Sequence, residues 1–124
     1  MHFDQRTQAA LREVGLSTDR LREASDLVKE AARADAAALE AFFDGRGTVY
    51  SDMEAAHGPS GVREHAVEYL DLYTHAADIR GYLRFDSWGV PVEGGRPLPD
   101  GTVELTLGPT VNDRVRFADD PDDL

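Results

Sequence analysis

The sequence predicts an α+β fold in which two long helices, with short ones, pack on one face of a small antiparallel sheet of three or four strands. Two observations carry that prediction. Up to about Gly81 the apolar residues recur at helical spacing, and beyond it they alternate with polar ones. A chain of 124 residues, 41% hydrophobic and 30% charged, has enough apolar surface for one core and too little for two. Residues 1–124 are therefore expected to form a single domain, helical over about 1–80, strand-rich over about 81–118, and ending in an acidic tail over 119–124. Layering helices on a sheet gives each element one apolar side to hide.

Taken in order, Asp4 caps a first helix that Gly15 ends. Ser17 or Thr18 caps a longer one running to about Phe43, before Asp44-Gly45. In "TVYSDMEAAHGPSG" a Ser51-x-x-Glu54 capping box and the Gly58-Pro59 terminator predict a short helix. Ser60 then caps a helix over "GVREHAVEYLDLYTHAADIR", which Gly81 ends. After Gly81, "YLRFD", "TVELTL" and "RVRF" read as half-buried strands, with Leu83, Phe85, Val103, Leu105, Leu107, Val115 and Phe117 on the inner face. "PDG" at 99–101 is a hairpin turn and "GPTVND" joins the last two strands. The Gly- and Pro-rich "SWGVPVEGGRPLPD" is expected to hold no more than an irregular edge strand, and "DDPDDL" to fray.

Charge narrows the partners. Asp and Glu number 24 against 13 Lys and Arg, a formal net charge of -11, which repels nucleic acid and anionic membrane because binding there rests on neutralising phosphates. Lys29 is the only lysine among 12 arginines, and Asp outnumbers Glu by 15 to 9. That balance resembles the cytoplasmic proteins of extremely halophilic archaea, and the chain as a whole resembles the small uncharacterised conserved proteins of that group, a resemblance of composition that implies no activity. Near 1 M salt the Debye length is about 3 Å, so charge repulsion of this size is screened. The absence of cysteine removes disulfides, thiolate metal sites and cysteine nucleophiles. "MHFDQRTQAALREVG" has no basic-then-apolar signal region and no apolar run approaches a membrane span, so the expected location is cytoplasmic.

Five residues of the third predicted helix, Glu64, Glu68, Asp71, His75 and Asp78, share one stripe opposite Val62, Ala66, Tyr69, Leu70, Tyr73, Ala76 and Ala77. A convex helix face does not enclose a cation, so this stripe reads as a solvated face, and neither a metal site nor a cofactor is expected. In the second helix Leu21, Val28 and Phe42 recur at sevens, and Asp35 takes the remaining place in that series. A straight helix aims that carboxylate at the core, where it needs an arginine partner, a helix break or a pocket. The alanines of the same helix, Ala31 to Ala41, allow close helix approach and point to a homodimer. If Leu83, Phe85, Val115 and Phe117 face inward, Arg84, Arg114 and Arg116 face outward, where a guanidinium offers a fork to an anion or pairs with Glu104.

The functional expectation is a small, acidic, non-enzymatic protein that works through self-association or a protein-binding surface. The alternative is an enzyme or small-anion binder whose pocket lies between the helices and the arginine-bearing sheet, using Asp35, Tyr69, Tyr73, Arg84, Arg114 and Arg116.

Overall fold

A computed structural model of the chain describes residues 3–44, 47–53, 62–109 and 111–124. Its elements are α1 (Gln5–Glu13), α2 (Thr18–Phe43), β1 (Thr48–Ser51), β2 (Arg63–His75), β3 (Asp78–Phe85), β4 (Gly89–Pro97), β5 (Val103–Leu107), β6 (Asp113–Ala118) and a closing 3₁₀ turn, Pro121–Asp123. The two helices start as the caps predict. The Asp4 carboxylate accepts from the Thr7 N–H and the Ser17 hydroxyl from the Arg20 N–H. Gly15, at φ 99°, follows the first helix in the left-handed region that glycine enters without steric cost.

The sheet differs from the expectation. All six strands are antiparallel and close into a barrel in chain order, β6 returning to pair with β1. Three or four strands under a helical layer is therefore wrong, although the fold remains α+β. Strands begin at Thr48 and not at Gly81. The third predicted helix is instead most of a hairpin, β2 turning into β3 through Ala76 (φ 54°) and Ala77. Of the predicted capping-box helix, Ser51 ends β1, while residues 54–61 lie outside those described. The segment expected to be an irregular edge is β4, paired on both sides and carrying a bulge between Val92 and Gly94. The tail expected to fray ends in the 3₁₀ turn, with Asp120 capping Asp122.

Closing the barrel removes the exposed edges that a short meander would leave. Its interior is the inner face that alternation predicts: Leu83, Phe85, Val103, Leu105, Leu107, Val115 and Phe117 are all buried, with Val49, Val90 and Val92 completing it. Full burial of side chains of this size contributes about 1.5–3 kcal/mol each before the entropy of ordering is subtracted.

Closure is incomplete at one end. β1 pairs β2 only over Arg63–Ala66, and β4 pairs β3 only over Gly81–Arg84. The far half of the β2–β3 hairpin, Tyr69–His75 with Asp78–Arg80, runs past both neighbours. Helix α2 fills the resulting opening with Ala32, Ala36, Leu39, Phe42 and Phe43. Leu39 and Leu105 converge on Gly95, where an added Cβ would stand 2.9 and 2.8 Å from their methyl carbons. Gly81, expected to stop a helix, sits in mid-strand opposite Leu72, and a Cβ there would fall 2.0 Å from the Asp71 carbonyl oxygen. Only glycine permits that approach.

Candidate functional site

The overhanging hairpin has two faces and one open edge. Because the loop holds two residues, His75 and Asp78 form the pair nearest the turn. The backbone groups of His75, Tyr73, Asp71 and Tyr69 then turn toward β3, and those of Thr74, Leu72 and Leu70 turn away from it. The Leu72 N–H confirms this direction by donating to Glu40 Oε1 of α2 at 3.3 Å. Among the described residues no strand pairs with this edge beyond Val67, whose own N–H reaches the Gly47 carbonyl.

Between this edge and the C-terminal part of α2 lies a groove of about 820 Å³. Ala37, Ala41, Phe43 and Leu70 form its apolar floor, and Glu40, Asp44, Glu68 and Asp71 bring four carboxylates to it. On the outer face of the hairpin, strand register sets Tyr69 against Arg84, Asp71 against Tyr82 and Tyr73 against Arg80. The three tyrosines are exposed, Tyr73 by 64%. Tyr82 also lies over Gly89, whose missing side chain makes room for the ring.

The six residues chosen from the sequence are not gathered into one pocket. Tyr69, Tyr73 and Arg84 share the outer hairpin face, where Arg84 lies 3.7 Å from Glu68. Arg114 and Arg116 stand on β6, outside the barrel and away from α2. Arg116 donates to Asp100 Oδ2 at 3.2 Å and to the Asp123 carbonyl at 3.4 Å, tying the β4–β5 turn and the C-terminal turn to β6. Arg114 borders a shallow depression with Arg96, Glu104 and Thr106.

Asp35 is half-buried at the rim of a second groove beside α2, of about 350 Å³. The alternative reading asked for a pocket at Asp35, and one exists. Its other charged members among the described residues, however, are Asp78 and Glu93, which repel an anion. Among the described residues Asp35 has no arginine in an ion pair. The rim position answers the sequence puzzle: the carboxylate reaches water past the edge of the buried stripe, so it needs no buried cation. The residues of the predicted helix stripe also remain solvent-facing, now on two strands: Glu64, Glu68, Asp71 and His75 of β2 and Asp78 of β3 are all exposed.

A polar pair inside the closed end escaped the sequence reading. The fully buried Ser51 hydroxyl lies 2.6 Å from His65 Nε2 and accepts the Met53 N–H at 3.2 Å. The imidazole tautomer sets which of the two groups donates in this bond. The ring stacks on Phe85 at 4.7 Å. Burial, and then the charge of Arg63, hold its pKa below the usual histidine value. Since Ser51 is sealed from solvent, the pair ties β1 to β2 and presents no nucleophile. Register sets Ser51 opposite Arg63 and Val49 opposite His65, so the two polar side chains meet diagonally across β1 and β2, and no spacing in the sequence foretells it.

Among the described residues no group of three or more His, Asp or Glu converges as metal ligands, and no helix is long and apolar enough to cross a membrane. The chain belongs to a family described as "Family of unknown function (DUF7532)", whose model matches residues 1–122. No curated protein and no solved structure matches it.

Proposed function

We propose that this member of a family of unknown function is a non-enzymatic protein-binding module that takes up an extended segment of a partner along the open edge of β2. The observation that carries the reading is the edge itself: at Leu70, Leu72 and Thr74 the backbone turns its donors and acceptors away from β3, Leu70 borders the groove, and the Leu72 N–H meets the Glu40 side chain of α2. Strand addition to such an edge is a general mode of peptide recognition, in which main-chain bonds supply affinity and flanking side chains supply selectivity. Tyr69, Tyr73 and Tyr82 beside it, interleaved with Arg80 and Arg84, have the composition enriched at protein interfaces. The test is amide hydrogen exchange of the full chain with a panel of extended peptides. Slowed exchange at Leu70 and Thr74 is expected, and a panel that leaves both amides unchanged would overturn the reading.

Self-association is a second reading, favoured by a different observation. Leu27, 65% exposed, heads a line of exposed alanines along α2, Ala31, Ala34 and Ala38. Two such helices can approach closely as a two-fold homodimer. Light scattering should give twice the chain mass, falling to the single-chain mass in Leu27→Glu. The Asp-rich, lysine-poor surface supports a cytoplasmic setting rich in salt. A melting temperature that does not rise with salt would remove that support.

A further inference from the structure

The groove and edge together point to the chemistry of the partner, and we infer that the segment taken up by β2 is basic, with Lys or Arg at alternate positions. This inference rests on the strand-addition reading and specifies it. An added strand would place one set of side chains on the outer face next to Tyr69, Asp71 and Tyr73, and the other set over Ala37, Ala41 and Leu70. The outer set meets the Asp71 carboxylate and the exposed rings of Tyr69 and Tyr73, which favour a cation by pairing and by cation–π attraction, while Glu68 is shared with Arg84 at 3.7 Å. The inner set meets an apolar floor whose rim carries Glu40 and Asp44.

Charge also decides against the obvious competitor, a second copy of this chain pairing edge to edge. Two β2 edges brought together would set one acidic groove, with Glu40, Asp44, Glu68 and Asp71, beside a second copy of itself with no added cation to offset the charge, which is unfavourable. An acidic segment meets the same obstacle. Glu40 occupies the Leu72 N–H in the absence of a partner. An incoming carbonyl takes over that donor and releases the Glu40 carboxylate to pair with the arriving cation. Contacts at this range outlast screening better than long-range repulsion does, because even near 1 M salt the Debye length of about 3 Å matches a direct ion-pair distance.

The probes are three capped seven-residue peptides: alternating Lys and Val, alternating Glu and Val, and the Lys/Val peptide N-methylated along one edge. They are titrated into the full chain by fluorescence anisotropy, with exchange of the Leu70 and Thr74 amides followed in parallel. The Lys/Val peptide should bind and slow both amides. Its affinity should fall at least tenfold in Glu68→Gln/Asp71→Asn and again in Glu40→Gln/Asp44→Asn, each checked for an unchanged circular dichroism spectrum. The use of two separate double variants keeps the test intact if one fails to fold. Equal binding and protection by the Glu/Val peptide would overturn the basic partner and leave strand addition standing. Equal binding by the N-methylated peptide, or no protection of the two amides by any peptide, would overturn both.

Discussion

β2 belongs to two different environments along its length. From Arg63 to Ala66 it is a barrel stave paired with β1, its inward His65 hydrogen-bonded to Ser51 and stacked on Phe85, and its pairing with β3 begins at Val67. From Tyr69 to His75 it pairs, among the described residues, with β3 alone, its outward face carries exposed tyrosines, and its first part, to Asp71, borders an acidic groove. The bulge between Val67 and Tyr69 marks the boundary. One strand therefore serves stability at one end and offers a surface at the other. Such a division requires that backbone pairing stop before the side chains do, because a fully paired edge has nothing left to recognise.

The sharpest way to break the comparison is to remove a side chain from each end. Phe117 is fully buried, with its ring 5.3 Å from Phe43 and 6.0 Å from His65. Phe117→Ala should lower the stability measured by urea unfolding by about 3–5 kcal/mol. A smaller loss would mean that the closed end can collapse onto the cavity.

Gly81→Ala probes whether the overhang is indifferent to change as a whole. Its new Cβ would meet backbone at Asp71, which cannot yield as a flexible side chain could, so a loss of about 1–3 kcal/mol is expected by unfolding. A neutral outcome would show that the β2–β3 spacing relaxes freely at this end.

Ser51→Ala removes the hydrogen-bond partner of His65 Nε2 and the acceptor of the Met53 N–H, with an expected cost of about 1–3 kcal/mol. The pH dependence has a definite sign. The folded protein holds His65 below its reference value of 6.5, so between that reduced value and 6.5 the unfolded chain binds more protons than the folded one. Stability due to the neutral imidazole is complete above about pH 6.5 and is lost as pH falls toward the folded pKa. Urea midpoints at pH 8, 6.5 and 5 should decline in that order, and His65→Gln should flatten the decline.

The smallest effects belong to the exposed positions. Tyr73→Ala should leave stability within about 0.5 kcal/mol of the parent. Asp35→Ala should do the same or raise it slightly, since an unpaired rim carboxylate is exchanged for the best helix former. A loss of several kcal/mol at Asp35 would show that it has a buried partner after all.

Local chemistry was legible wherever it was decided locally. The caps at Asp4 and Ser17, the turn at Asp100-Gly101, and the alternating inner residues of β5 and β6 depend on side chains within a few positions of one another. β2 was not legible because its bulge shifts the inward phase by one residue. Arg63, His65 and Val67 face in before it, and Leu70, Leu72 and Thr74 after it. A period of two with one slip imitates helical spacing over a single stretch, and Val62, Ala66, Tyr69, Leu70 and Tyr73 fitted a helix wheel as a result. The Gly-rich β4 was hidden for the opposite reason. Gly89 and Gly95 lack side chains to show alternation because Tyr82, Leu39 and Leu105 occupy the space.

By itself the sequence determined the charge, the lack of thiol chemistry, the two capped helices and which residues of the last strands turn inward, since each depends on composition or on neighbours in the chain. The tertiary structure alone decided that β6 closes on β1, that Ser51 meets His65, and that the Leu72 N–H of β2 meets Glu40 of α2. Those outcomes are settled by strand register between distant segments, and register is a property of what a strand pairs with, which its own residues do not encode.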